Sequence, residues 1–339
     1  MTKIKFGIIG CGNIAQWHAN AIRALPNAEL AAVCDSVPDM REKFGREHGV
    51  QAYASEEQLL ASKEIDAVCI CTPSGLHAGQ AVKALRAGKH VLAEKPFAIT
   101  PDSLEMVLET ARKTNRKLSA VSQMRFIPDV LRAREIIRSG GLGKILLADL
   151  SMKYYRKPSY YADSTWRGTY AMDGGGALMN QGIHGVDLLR FLCGEVRQVS
   201  ARSRTLLHSI EAEDTLCADF ELENGGLGVL TAATSTWPGC RRRLEICGSE
   251  GLLTLTEGAI TGLESQQGEL VHLAGDAKRE SGESDPFNID FEPHVRQIGA
   301  FVQAVLRDEQ PSPDPLDAAN TLRLIFAVYD SAESNAKKV

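Results

Sequence analysis

Short apolar runs alternate with helically spaced apolar positions through the first third of the chain. Residues 3–9, KIKFGII, form an apolar strand, and QWHANAIRAL at 16–25 follows with apolar residues at helical spacing. AELAAVCD (28–35), IDAVCICTP (65–73), KHVLAEKP (89–96) and RKLSAVSQMR (116–125) read as further strands. Between the second and third of these, LHAGQAVKALRAG (76–88) reads as a helix closed by Gly88. Strands alternating with helices predict a parallel sheet covered on both faces. After SGGLGK (139–144) the texture changes. ILLADLSMKYY (145–155) is strand-like. Residues 213–237 read as a hairpin turning at Asn224-Gly225-Gly226, and residues 241–264 as a second hairpin turning at Gly248–Gly251. GGGALMNQGIHGVDLL (174–189) predicts a helix led by glycines, and two more helices fall near 293–307 and 316–335. Residues 277–290 are polar and aperiodic, a loop pattern. The chain therefore divides into an α/β domain at 1–123 and an α+β domain at 124–339 with a mostly antiparallel, open sheet. Helices on only one face of that sheet leave the other for a second copy of the chain, a homodimer or homotetramer.

Candidate chemistry lies where the elements change. GCGNIA (10–15) joins the first strand to the first helix, and the second strand ends in Asp35. Gly10 allows a tight turn, Gly12 lets the backbone approach a pyrophosphate, and Ala15 takes the third small position. Cys11, Asn13 and Ile14 open the helix, whose free amides and positive dipole end suit an anion. A plain strand–helix turn needs neither the glycine pair nor the acid. The combination predicts a Rossmann dinucleotide site. Asp35 would bond the ribose hydroxyls and repel a 2′-phosphate, favouring NAD over NADP. Ligands of such sheets lie beyond the C-terminal strand ends, which draws in Thr72, Pro73, Ser74, Glu94, Lys95 and Gln123. His77, just past one such end, reads either as a helix cap or as a wall of the cofactor groove.

Length and composition fit this picture. A chain of 339 residues is long for a single core. The formal net charge of −5, with no long basic run, argues against nucleic acid as a partner. No apolar stretch reaches membrane-spanning length. The first residues enter a strand pattern with no leader signature, so the expectation is cytoplasmic. The eight cysteines contain no CxxC pair; Cys34, Cys69, Cys71 and Cys193 lie in apolar runs and read as reduced core thiols rather than metal ligands. Arg241, Arg242 and Arg243 read as a solvated strand end, with a phosphate cluster as the lesser alternative.

GIIGCGNIA, AEKPFAIT, WRGTYAMDGGGALMNQGIHGVDLL and CGSEGLL together resemble the Gfo/Idh/MocA oxidoreductases across almost the whole chain. The resemblance implies NAD(P)-dependent chemistry on sugars or polyols and assembly through the open sheet. It makes Lys95 the lysine that contacts the reacting hydroxyl; Pro96 biases its backbone to be extended, and partial desolvation would lower its pKa toward proton transfer. It makes His184 the catalytic histidine and sets Trp166 and Arg167 near cofactor and substrate. Arg125 and Tyr154 are further candidates for substrate contact. Asn180 and His184, four apart, share a helical face and are expected to face a cleft opposite Lys95. Asn180 departs from the family's usual aspartate and can orient substrate but not carry a proton. Asp187 reads as structural. Two functions follow, an NAD-dependent dehydrogenase of a sugar, polyol or sugar-nucleotide carbinol, and an NAD-dependent glycoside hydrolase working by transient oxidation at C3. A silent NAD sensor is disfavoured by the presence of both Lys95 and His184.

Overall fold

The structure, a computed structural model, describes residues 2–266 and 291–334. The loop expected at 277–290 lies outside these. In chain order the elements are β1 (Ile4–Ile9), α1 (Asn13–Ala24), β2 (Ala28–Cys34), α2 (Pro38–His48), β3 (Gln51–Tyr53), α3 (Glu56–Ala61), β4 (Ala67–Ile70), α4 (Ser74–Arg86), β5 (His90–Ala93), α5 (Pro101–Thr114), β6 (Leu118–Ala120), α6 (Pro128–Arg138), β7 (Ile145–Lys153), α7 (Pro158–Ala162), α8 (Ile183–Cys193), β8 (Val196–Arg204), β9 (Thr215–Leu222), β10 (Leu227–Ala233), β11 (Arg243–Gly248), β12 (Gly251–Thr256), β13 (Ala259–Ser265), α9 (Glu292–Arg307) and α10 (Pro315–Ser334). No helix among the described residues is long and apolar enough to cross a membrane.

The chain forms two units, Met1–Gln123 with Asp290–Asn320, and Met124–Ile289 with Thr321–Val339. In the first, a six-stranded parallel sheet runs in the order β3-β2-β1-β4-β5-β6. The order reverses between β1 and β4, the switch point where such sheets take ligands. The sequence pattern assigns everything after 123 to the second domain, and here the structure differs. Ile298, Phe301 and Val302 of α9 join the core of Phe6, Ile8 and Ile22, and the Phe6 and Phe301 rings lie 6.4 Å apart. Burying each such side chain contributes about 1.5–3 kcal/mol, which is enough to draw a late helix into the first unit.

The second unit holds a seven-stranded sheet, β13-β12-β11-β7-β10-β9-β8. All neighbours are antiparallel except β7 and β10, which pair in parallel. The second expected hairpin extends to a third strand, β13. The inward row of β7, Ala148, Leu150 and Met152, is buried, and Gly185 of α8 lies against Leu150 and Met152. On the opposite face Leu147, Leu227 and Val229 are exposed, Leu147 paired in register with Leu227.

Candidate active site

The first unit gathers its predicted residues on one sheet edge, because parallel strands all end there. Gly10 has φ +94°, and a Cβ on it would press on the Cys71 carbonyl. Gly12 is the residue before α1 and makes no side-chain cap. A Cβ there would meet nothing within 4 Å. An open approach thus leads to the uncapped amides of Asn13 and Ile14, the cradle a pyrophosphate requires. Asp35 follows β2 with both carboxylate oxygens turned inward to backbone. One accepts from Cys11 N at 2.7 Å and the other from Val37 N at 2.8 Å. Each oxygen keeps a second lone pair for a ribose hydroxyl. Arg41 Nη1 donates to the Asp35 carbonyl at 3.1 Å. Its place was not legible, since it depends on α2 folding back. The glycine cradle, the free helix amides and the acid at the end of β2 fit a dinucleotide.

Thr72, Pro73 and Ser74 follow β4, and Glu94 and Lys95 follow β5. From Val91 to Ala98 every residue but Lys95 is buried. Beneath it, Glu94 Oε1 lies 2.8 Å from His18 Nε2, and Glu94 Oε2 accepts from Lys95 N at 3.1 Å. Burial pushes the Glu94 carboxyl up, but the His18 contact outweighs it and holds the pKa at about 2. Burial likewise opposes charge on His18, yet Cys71, Cys69 and the adjacent carboxylate hold it well above the ordinary imidazole value. Neither residue can be paired from sequence, being 76 positions apart. His77 neither caps α4 nor faces outward. It is buried, with Nδ1 2.8 Å from the Pro96 carbonyl and Nε2 2.6 Å from that of Thr72. It ties the two strand-end loops together, and burial lowers its pKa. Gln123 is also buried.

In the second unit the glycine-led segment begins as a π-helical turn, Ala177–Gly182, and continues as α8. Such turns interrupt α-helices rarely and often at working sites. From Gly175 to Arg190 only Asn180, Gln181 and His184 escape burial. Both members of the predicted pair are therefore partly exposed, and so is Gln181, a residue the helical count of fours passes over. Asn180 Nδ2 donates to Asp173 Oδ1 at 2.6 Å, and Asn180 Oδ1 accepts from Gln181 Nε2 at 2.9 Å. Asp173 is buried, and its other oxygen accepts from Gly168 N at 2.9 Å. A carboxylate thus sits beside the asparagine. Gln181 also contacts Tyr160 Oη at 2.8 Å and accepts from Arg156 Nη2 at 2.7 Å. The Arg167 guanidinium stacks over Tyr160 at 4.3 Å and Trp166 at 5.3 Å.

Other expected members take structural places. Arg125 is buried, bonding both oxygens of Asp187 at 2.8 and 2.6 Å, so its fork is committed within the fold. Thr321 adds a third bond to Asp187 at 3.0 Å. Tyr154 is buried, which pushes its hydroxyl pKa up to about 12, with Arg242 nearby opposing. Arg242 itself is buried against Glu257 at 2.9 Å, a paired core cation where a solvated strand end was expected; Arg243 is the exposed one. Cys34, Cys69, Cys71 and Cys193 are free and buried.

Family models match both halves of the chain. Residues 4–122 match the model for an oxidoreductase family with an NAD-binding Rossmann fold, GFO_IDH_MocA. Residues 130–254 match the GFO/IDH/MocA C-terminal domain. Inositol 2-dehydrogenase of Rhizobium meliloti is 25% identical over 97% of this chain and 96% of its own. D-glucoside 3-dehydrogenase of Escherichia coli is 27% identical over 98% and 97%. The WlbA dehydrogenase of Bordetella pertussis, solved with NADH and UDP-GlcNAcA, is 29% identical, with TM-score 0.88 over 99% of this chain and 97% of that one.

Proposed function

The chain belongs to the Gfo/Idh/MocA family of NAD-binding oxidoreductases, and from that premise we propose that it oxidises or reduces a carbinol on a sugar, polyol or sugar nucleotide. The observation that carries the reading is Lys95, the one unburied side chain between Val91 and Ala98, on the same sheet edge as Gly12 and Asp35. Bound NAD supplies the acceptor for the hydride that leaves the carbinol carbon. Asn13 and Ile14 would hold its pyrophosphate and Asp35 its ribose hydroxyls. Lys95 polarises the carbinol oxygen, and His184 in its neutral form takes the hydroxyl proton as the C–H bond breaks. Asn180, fixed by Asp173 and Gln181, orients substrate. Arg167 forms no ion pair among the described residues and offers its fork to a carboxylate or phosphate. This favours a substrate with an anionic group, and the inositol and sugar-nucleotide relatives support the broader class. The exposed outer face of the second unit's sheet supports a homo-oligomer, and the burial of Cys34, Cys69, Cys71 and Cys193 fits a cytoplasmic setting.

A panel of neutral sugars, polyols, sugar acids and sugar nucleotides, incubated with NAD and followed by NADH fluorescence, tests the reading. Net NADH with one class is expected. Glycoside cleavage without net NADH would establish the hydrolase instead, since that chemistry returns its cofactor to the starting state.

A further inference from the structure

The first amides of any helix lack partners in their own helix and are usually satisfied by a nearby Ser, Thr, Asp or Asn. No such local side chain caps the turn that carries Asn180. Its leading residue is Gly176, which has no side chain to cap with. The acceptors come from far away. Gly176 N donates to Glu213 Oε2 at 2.9 Å, and Leu178 N to Glu213 Oε1 at 2.8 Å. Ala177 N, between them, donates to the Glu213 carbonyl at 2.8 Å. Met179 N donates to Tyr329 Oη at 3.1 Å, and that hydroxyl donates in turn to Glu213 Oε1 at 3.0 Å. One buried carboxylate, its own carbonyl and one phenol from α10 thus take four consecutive amides. The glycines make room for this clamp. A Cβ on Gly176 would overlap the Glu213 carbonyl, and one on Gly175 would overlap the Tyr329 hydroxyl.

We propose that Glu213 and Tyr329 are positioning residues that set the pitch of the π-helical turn and so fix how Asn180 and Gln181 on the turn, and His184 just after it, are presented. The proposal rests on the functional reading above, in which Asn180 and His184 work on substrate. A carboxylate is required because both of its oxygens accept. A glutamine would offer one acceptor and set its NH₂ against a backbone N–H. Two oxygens reaching Gly176 and Leu178, with the carbonyl on Ala177, hold the amides from outside the helix. A local cap would satisfy one or two of them and leave the turn free to relax into ordinary α pitch.

The test compares Glu213→Gln, Tyr329→Phe and Glu213→Asp with the wild type. Hydrogen exchange of the amides at 176–179 should accelerate by about 10-fold or more in the first two variants. In variants that remain folded, kcat should fall on the order of 10- to 100-fold, as for displaced catalytic groups, with KM for NAD unchanged. Glu213→Asp, which keeps two carboxyl oxygens, should recover part of the loss. Unchanged exchange at 176–179, or faster exchange with an unaltered kcat, would overturn the proposal. A wild type inactive on every carbinol would overturn the functional reading and the catalytic half of the proposal, while exchange would still decide the clamp.

Discussion

Two carboxylates in the first unit carry most of its residue-scale chemistry, and they are held in opposite ways. Glu94 is buried against His18, and the two titrate in opposite senses. The Glu94 contribution is present above the ordinary carboxylate pKa and is lost as pH falls through about 2. The His18 contribution is present below the ordinary imidazole pKa and is lost as pH rises through its raised value. The pair therefore stabilises most between roughly pH 5 and 6.5. Removing one partner of a buried pair costs about 3–5 kcal/mol, so His18→Ala should melt much lower than the wild type near pH 6. That gap should narrow at alkaline pH, and thermal melts across the range would show a constant gap if the pair were not charged. Asp35 is instead held by backbone amides, one on each oxygen, and keeps a further lone pair on each. It should favour NAD over NADP by about 10-fold, on the order of 1.4 kcal/mol. Titration of both cofactors checks this, and equal affinities would refute it.

At the scale of elements, two glycines at two helix starts make a pair of opposite predictions. Gly12 faces open space, so Gly12→Ala should fold with an unchanged melting temperature yet lose NAD affinity by about 10-fold or more, since the methyl enters the pyrophosphate cradle. Gly176 faces the Glu213 carbonyl, so Gly176→Ala should cost stability itself, about 1–3 kcal/mol for an overpacked site. Calorimetry and cofactor titration on both variants separate the cases. The place of Gly12 at the start of α1 was legible because the whole fingerprint lies within 26 residues of chain, from Gly10 to Asp35. The reason for Gly176 was not, because its partners, Glu213 and Tyr329, arrive from distant elements. The same limit explains the parallel β7–β10 pairing, which joins strands that are not neighbours in sequence. β8 was passed over because most of its residues are at least partly exposed and show little alternation, as befits an edge strand. α2 does not stand out in the sequence, because among its eleven residues only Phe44 and Gly45 are buried, too few for a clear helical period.

For the molecule as a whole, the functional account rests on the outer face of the second sheet and on the roles proposed for Lys95 and His184. Leu147, Leu227 and Val229 leave an apolar patch on that face. Light scattering at micromolar concentration should give a dimer or tetramer rather than the 36.8 kDa of one chain, and Val229→Lys should shift it toward monomer. The α+β plan and its hairpins were readable from turn residues and alternation. The placement of α9 was not, because its partners in the first core, Phe6, Ile8 and Ile22, lie more than 250 residues earlier in the chain. The measurement that bears most directly on the central claim is turnover of Lys95→Ala and His184→Ala with NAD and the carbinol found by screening. Each should lose about 10²- to 10⁴-fold in kcat, the usual cost of removing a proton-transfer group, while binding NAD as the wild type does. Near-normal turnover in both variants would contradict the account.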